Sequence, residues 1–445
     1  VALAALPATV GAGGGDWRFA DGRLTLTGAR FVVSDRANPA RFAPVAARDA
    51  ALTFADQAVN ASFRLVAPRA ANELARVTVR HDLASGKGHA DVMIAGLAFH
   101  DGKDKTGALQ PDDLSDLAKG VIANAEGTIK GTAQFDWDAA AAGGGVTGSG
   151  RFSSDDLDFA AAIGPVAGLA GTIEFTDLVH LVTAPHQILK IGSINPGVEI
   201  DYGTIDLALL AGQVVSLNRA EWPFEGGTLH LEPTELHMAV AEPRKLTVVI
   251  NGLEAGRFLQ HVNLANLSAT GTFDGRLPLT FDAKGGRITG GQLLSRAPGG
   301  NVSYVGALSY RDLSPMANFA FRMLRSIDYR AMTIGMEGDL GGEVITKVSF
   351  GGIRQGQGAE RNLITRQLSR LPIRFDINVR AQFYQLISSL RSLYDPSMVR
   401  DPRDLGLIDA QGRPIHHHGA PTQAPPSPAV PGGAAVQPHA SGTMP

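Results

Sequence analysis

Short runs in which every second residue is apolar, cut by Gly, Asp or Asn, recur through most of this chain and restrict it to β architecture. Trp17-Arg18-Phe19 and Leu24-Thr25-Leu26 flank Asp21-Gly22, a strong hairpin signal. Thr204 to Leu209 sets Ile205, Leu207 and Leu209 on one face, and Leu229 and Leu231 repeat the pattern after Gly226-Gly227. Leu246, Val248 and Ile250 follow, then Leu277, Leu279 and Phe281. Near the end Ile373, Phe375, Ile377 and Val379 share a face opposite Arg374, Asp376, Asn378 and Arg380. A period of two sends the apolar set to one side of a sheet and the polar set to the other.

No fixed-length repeat of solenoid type accompanies this texture. Roughly 25 strands spaced by ~4.8 Å would extend a single sheet to about 120 Å. Such a sheet twists and curls, so it is closed, split into packed layers, or left as a long open trough. The 53 glycines among 445 residues suit turns, bulges and bends of a curved sheet. Hydrophobic residues make up 44%, enough for a sizeable core.

Helical signals are few. Asp112 to Ala125 carries Leu114, Leu117, Val121 and Ile122 on one face, and a weaker pattern covers Arg257 to Leu264. Ser314-Pro315 reads as an N-cap and first helical residue, predicting a helix over Ser314–Ile327 with a Met316, Phe319, Met323 and Leu324 stripe. Phe383, Leu386, Ile387, Leu390 and Leu393 predict another over Gln382–Tyr394, ended by Asp395-Pro396. The expected organisation is a β-rich segment over residues 1–110, a second over 111–300, a β-plus-helix region over 301–395, and a disordered Pro/Ala/Gly-rich tail over 396–445. Val1 to Gly15 is uncharged and Ala/Gly-rich, without initiator Met or a basic leader. It reads as an internal start, with any membrane anchor expected N-terminal to this segment.

Chemistry is scarce. With no cysteine, thiol nucleophiles, disulfides and iron–sulfur clusters are excluded. The 40 Lys and Arg against 43 Asp and Glu leave a net charge of −3, no field for nucleic acid, and no basic patch interleaves with aromatics. Gly86-Lys87-Gly88 lacks the rest of a phosphate-cradling loop, and Gly148-Ser149-Gly150 has the wrong spacing for a nucleophile elbow and reads as a Gly-rich turn. Asp112-Asp113 and Asp155-Asp156 read as caps or turn residues, and His416-His417-His418 does not preorganise a metal site. No catalytic residue, metal or cofactor is expected, and the chain reads as a non-enzyme. Alternating apolar faces ordinarily fill the core between two sheets; a ligand-lining face is the alternative.

Two blocks bear on that choice. The first runs through Gly164-Pro165-Val166-Ala167-Gly168-Leu169-Ala170-Gly171-Thr172-Ile173, Phe175-Thr176-Asp177-Leu178, Thr183-Ala184-Pro185, Ile194-Asn195-Pro196-Gly197 and Trp222-Pro223-Phe224-Glu225-Gly226-Gly227. The second runs from Pro298-Gly299-Gly300 and Tyr304 through Ala317-Asn318-Phe319 and Asp328-Tyr329 to Pro372-Ile373, Asn378-Val379 and Leu390. Together they resemble the C-terminal region of the YdbH-like family, within the AsmA-like and TAM-type group of Gram-negative envelope proteins. The resemblance covers Leu114 to Leu393; the first hundred residues fit in texture only.

That resemblance implies an elongated, curved antiparallel β-groove in the periplasm that conducts phospholipids between inner and outer membranes, with a small outer-membrane lipoprotein as a candidate partner. Exposing an acyl tail of about 16 carbons to water costs roughly 12 kcal/mol, at ~0.8 kcal/mol per methylene. An aliphatic trough removes most of that barrier without chemistry. The expected lipid-facing residues are Ile205, Leu207, Leu209, Leu229, Leu231, Leu246, Val248, Ile250, Leu277, Leu279, Phe281, Ile373, Phe375, Ile377 and Val379. The two C-terminal helices are expected at the outer-membrane end. The rival readings are an envelope assembly protein that holds a partner by strand addition at an open edge, and a β-rich carbohydrate- or lipid-modifying enzyme.

Overall fold

A computed structural model describes residues 8–10, 14–35, 42–67, 72–100, 109–119, 122–141, 145–161, 164–195, 198–237, 243–262, 267–282, 285–304, 326–340, 343–355 and 377–382. They form a 24-stranded sheet in which every pairing is antiparallel, and a separate sheet of 4 short strands. Most strands pair with their sequence neighbours, so the chain meanders from Asp16–Ala20 through Arg23–Asp35 to Glu343–Gly351 and Ile377–Gln382. Short connections explain this order, because a tight turn can return the chain only to an adjacent antiparallel strand. The first hairpin shows the rule: Asp21 and Gly22 take φ of 50° and 73°, a geometry that matches strand twist.

Alternation holds along the long strands. In Ile122–Asp138, Ile129, Gly131, Ala133, Phe135 and Trp137 line one face, while Lys130, Thr132, Gln134 and Asp136 line the other. It is reset by bulges. Register shifts occur between Leu26 and Ala29, Ile94 and Leu97, Asp206 and Leu207, Ile250 and Leu253, and Ile288 and Gly291. Each inserts an unpaired residue, restores the apolar parity beyond it, and bends the strand. Asp49 sits at one bulge with φ of 50°, held by Arg64 of the next strand.

Two groups of elements lie against one rim of the sheet. Leu109 and the Pro111–Leu114 helix pack over Val45, Leu74, Leu97, Phe99 and Ala125. Gln110 fixes that segment: its Nε2 donates to the carbonyls of His100 and Ala125, both at 3.0 Å, and its Oε1 accepts the Ala125 N–H at 2.8 Å. Further along, the Ala255–His261 helix and the small sheet pack over Phe224, Leu253, Phe273, Met332 and Phe350. Phe159 borders both clusters and joins them.

Several expectations change. The Asp112–Ala125 stripe is not one helix: Pro111–Leu114 is helical, Asp116–Ala118 is a 3₁₀ turn, and Ile122 begins a strand that pairs with Leu157–Ala161. Ile122 and Ala123 gain ladder bonds there that a lone amphipathic helix of marginal length cannot match. Ala255–His261 matches the weaker helical signal. Ser149 lies inside the Thr147–Ser154 strand, not in a turn, and Gly148 beside it leaves room for the Phe135 ring. The predicted Gln382–Tyr394 helix falls outside the described residues apart from Gln382, which ends a strand. The predicted Ser314–Ile327 helix also falls outside them up to residue 325, and its last residue, Ile327, begins the Ile327–Tyr329 strand. All described elements belong to one compact unit, Val1–Ile415.

Candidate functional site

The strand register aligns the apolar positions into rows that cross the sheet. One row runs Ile191 to Gly203, then Trp222, Leu229, Ile250, Gly275, Leu293, Ile334 and Val348, each beside the next. A second runs Leu189, Ile205, Ala220, Leu231, Val248 and Leu277. A third joins Leu246, Leu279 and Ile288. Leu207 opposes Leu217, Leu209 opposes Val215, and Phe281 opposes Arg244. Directly opposed residues of an antiparallel pair share a face, so these side chains form one apolar surface.

Burial grades across that surface. Leu229 and Ile250 are buried, at 8% and 6% exposure, in a cluster with Ile191, Ile194, Ile200, Trp222, Phe224, Leu253 and Phe273. Ile205, Leu207, Leu231, Val248 and Leu277 are half-buried against the same cluster. Leu209, Leu246, Leu279 and Phe281, toward the opposite rim, are half-buried too. The sequence-derived residues from Ile205 to Phe281 therefore come together on one face. Ile377 and Val379 hold ladder positions beside Val348 and Thr346. Ile373 and Phe375 lie outside the described residues.

The floor of the face was not read from sequence. Trp222 lies flat over Gly203, where an added Cβ would sit 2.0 Å from its Nε1. Its indole N–H is buried without an acceptor among the described residues, a cost that its large apolar contact offsets. Trp137 covers Gly88 in the same way, but its Nε1 donates to His81 Nδ1 at 3.2 Å. Alternation inside Trp222-Pro223-Phe224 was the available signal. The pairing of each tryptophan with a distant glycine was not, because it depends on register.

The other face is polar and ion-paired. His89 Nδ1 meets Asp136 at 2.7 Å and its Nε2 meets Asp91 at 3.2 Å; Asp136 first and Asp91 second push the imidazole pKa up. Arg64 bridges Asp49 and Glu73, and the guanidinium holds the Asp49 carboxyl below its ordinary range. Arg296 does the same for Asp274, which also accepts the Gly252 N–H at 2.9 Å. Asp113 accepts the Gln110 N–H in a helical first turn, and Asp155 pairs with Lys130. Among the described residues, no group of three or more His, Asp or Glu converges on a metal position, and no helix is long and apolar enough to cross a membrane.

The described strands thus build an antiparallel sheet with one apolar and one ion-paired face. The chain belongs to the YdbH-like family, described as intermembrane phospholipid transport protein YdbH, whose sequence model matches residues 1–403. The match takes in the first hundred residues, where texture alone had pointed to it. No curated protein and no solved structure matches the chain. The family is one of lipid transport between membranes.

Proposed function

We propose that the apolar face is the lipid path: a trough in the periplasm along which phospholipids move between inner and outer membranes. The observation that carries this reading is the unbroken apolar row from Ile191 to Val348, which crosses strand after strand without a charged side chain. An acyl chain moving along it exchanges one set of methyl contacts for an equivalent set, so no step needs the full cost of wetting a tail. The family's role in intermembrane phospholipid transport supports the same path.

The test is lipid occupancy. The purified chain, loaded from phospholipid vesicles and measured by native mass spectrometry, should carry phospholipid. Leu207→Asp should lose most of it, and Thr204→Asp, on the other face, should keep it. Equal occupancy in both variants would remove this face from the path.

A second reading has its own support. Among the described residues, Ile377–Gln382 pairs on one side only, with Glu343–Gly351. A strand with a free ladder edge accepts an added strand, and a small outer-membrane lipoprotein is the partner class this reading requires. It is compatible with the lipid path, which such a strand would prolong.

A further inference from the structure

The trough is asymmetric across its width. Along the central strands, one rim is closed by the Ala255–His261 helix and the small sheet, through Phe258, Ala269, Val302 and Tyr329 packed on the apolar cluster. Phe258 meets Phe224 with ring centroids 6.3 Å apart, and the Tyr329 hydroxyl donates to the Thr270 carbonyl at 2.7 Å. Toward the other rim, Leu246, Leu279 and Phe281 remain half-exposed. Within the strand Arg244–Glu254, the register places one charged side chain on the apolar face, Arg244. It opens the strand that continues with Leu246, Val248 and Ile250, and it stands opposite Phe281 at the half-exposed rim.

We propose that Arg244 is a headgroup contact: it receives the phosphate of a phospholipid whose tails point inward across the trough toward the closed rim. This rests on the reading of the face as a lipid path and adds the lipid's orientation to it. The dimensions agree. Arg244 to Ile250 spans about 20 Å of strand, and one leaflet's tail needs about 15 Å, half of a ~30 Å hydrocarbon core. A phosphate at Arg244 thus lays its tails over Leu246, Val248 and Ile250. Arg244 also keeps an interaction within the fold; a guanidinium carries five donors in a planar fork whose geometry matches a phosphate.

The test compares phospholipid with diacylglycerol, which has the tails but no phosphate. The purified chain is loaded from vesicles containing phosphatidylglycerol, phosphatidylethanolamine and diacylglycerol, and bound lipid is measured by mass spectrometry. Arg244→Gln should lower phospholipid occupancy about five-fold or more and leave diacylglycerol unchanged, and Arg244→Lys should restore most of the phospholipid. The unmodified chain gives an independent reading: moving from 0.1 M to 1 M salt shortens the screening length from ~10 Å to ~3 Å and should lower phospholipid occupancy selectively. Arg244→Gln with normal phospholipid, equal loss of both lipids, or salt-independent selectivity would each overturn the headgroup role. If Leu207→Asp also keeps all its lipid, the reading of the face itself fails, and this inference with it.

Discussion

Leu207 and Ile250 share a face but differ in surroundings, and that difference separates folding from function. Ile250 is 6% exposed within the apolar cluster, whereas Leu207 is half-buried at its margin. An ionised carboxylate at the first position has no partner and must pay desolvation or take up a proton. Ile250→Asp should therefore cost several kcal/mol and lower the unfolding midpoint sharply by circular dichroism. Leu207→Asp can turn its carboxylate toward water and should lose only about 1 kcal/mol while its lipid occupancy falls. Similar midpoints for the two variants would mean that burial does not grade across the face. Trp222 provides a second residue-level case. Trp222→Ala leaves a large void over Gly203 and should cost about 3–5 kcal/mol. Gly203→Val, which drives a side chain into the indole, should be comparably harmful.

At the scale of elements, the ion pairs of the outer face clasp neighbouring strands. His89 joins the Lys87–Phe99 strand to Asp136 of Ile122–Asp138, with Arg80 opposite it on Glu73–Asp82. Its pKa is raised in the folded chain, so the clasp's contribution is complete below the unfolded value near 6.5 and is lost as pH rises through the folded value. Amide exchange in these strands should accelerate above that window, beyond the intrinsic rate change, and His89→Gln should abolish the step. The side chain is 37% exposed, so the effect should be small. Asp274 serves the backbone instead. It holds the bulge at Gly252 through the amide N–H and is held in turn by Arg296. Asp274→Ala should cost about 1 kcal/mol and raise exchange at Gly252 more than at Val248.

Over the whole molecule, strands bond mainly to those next to them in sequence, so stability is built from neighbour terms as in a repeat array. Denaturant unfolding followed by hydrogen exchange should show several cooperative blocks. The Gln187–Phe273 region, which carries the larger apolar cluster, should be protected longest. A single sharp transition with uniform protection would contradict this.

The amino-acid order by itself determined the local pattern. Period-two alternation set which residues of each strand share a face, and Asp21-Gly22 set the first hairpin, because both depend on backbone geometry within a few residues. The grouping of Ile205 to Phe281 followed from that parity. Arg244 was legible by the same rule, two residues before Leu246, yet its place at the half-exposed rim was not. Tertiary structure alone decided which rows lie side by side, because register is fixed by bulges and by cross-strand packing such as Trp222 on Gly203. It also decided that Ile122 joins a strand instead of prolonging a helix, and that the Ala255–His261 helix closes one rim. Alternation shows that a face is apolar; what covers that face depends on segments distant in sequence, whose contacts form only when the sheet is assembled.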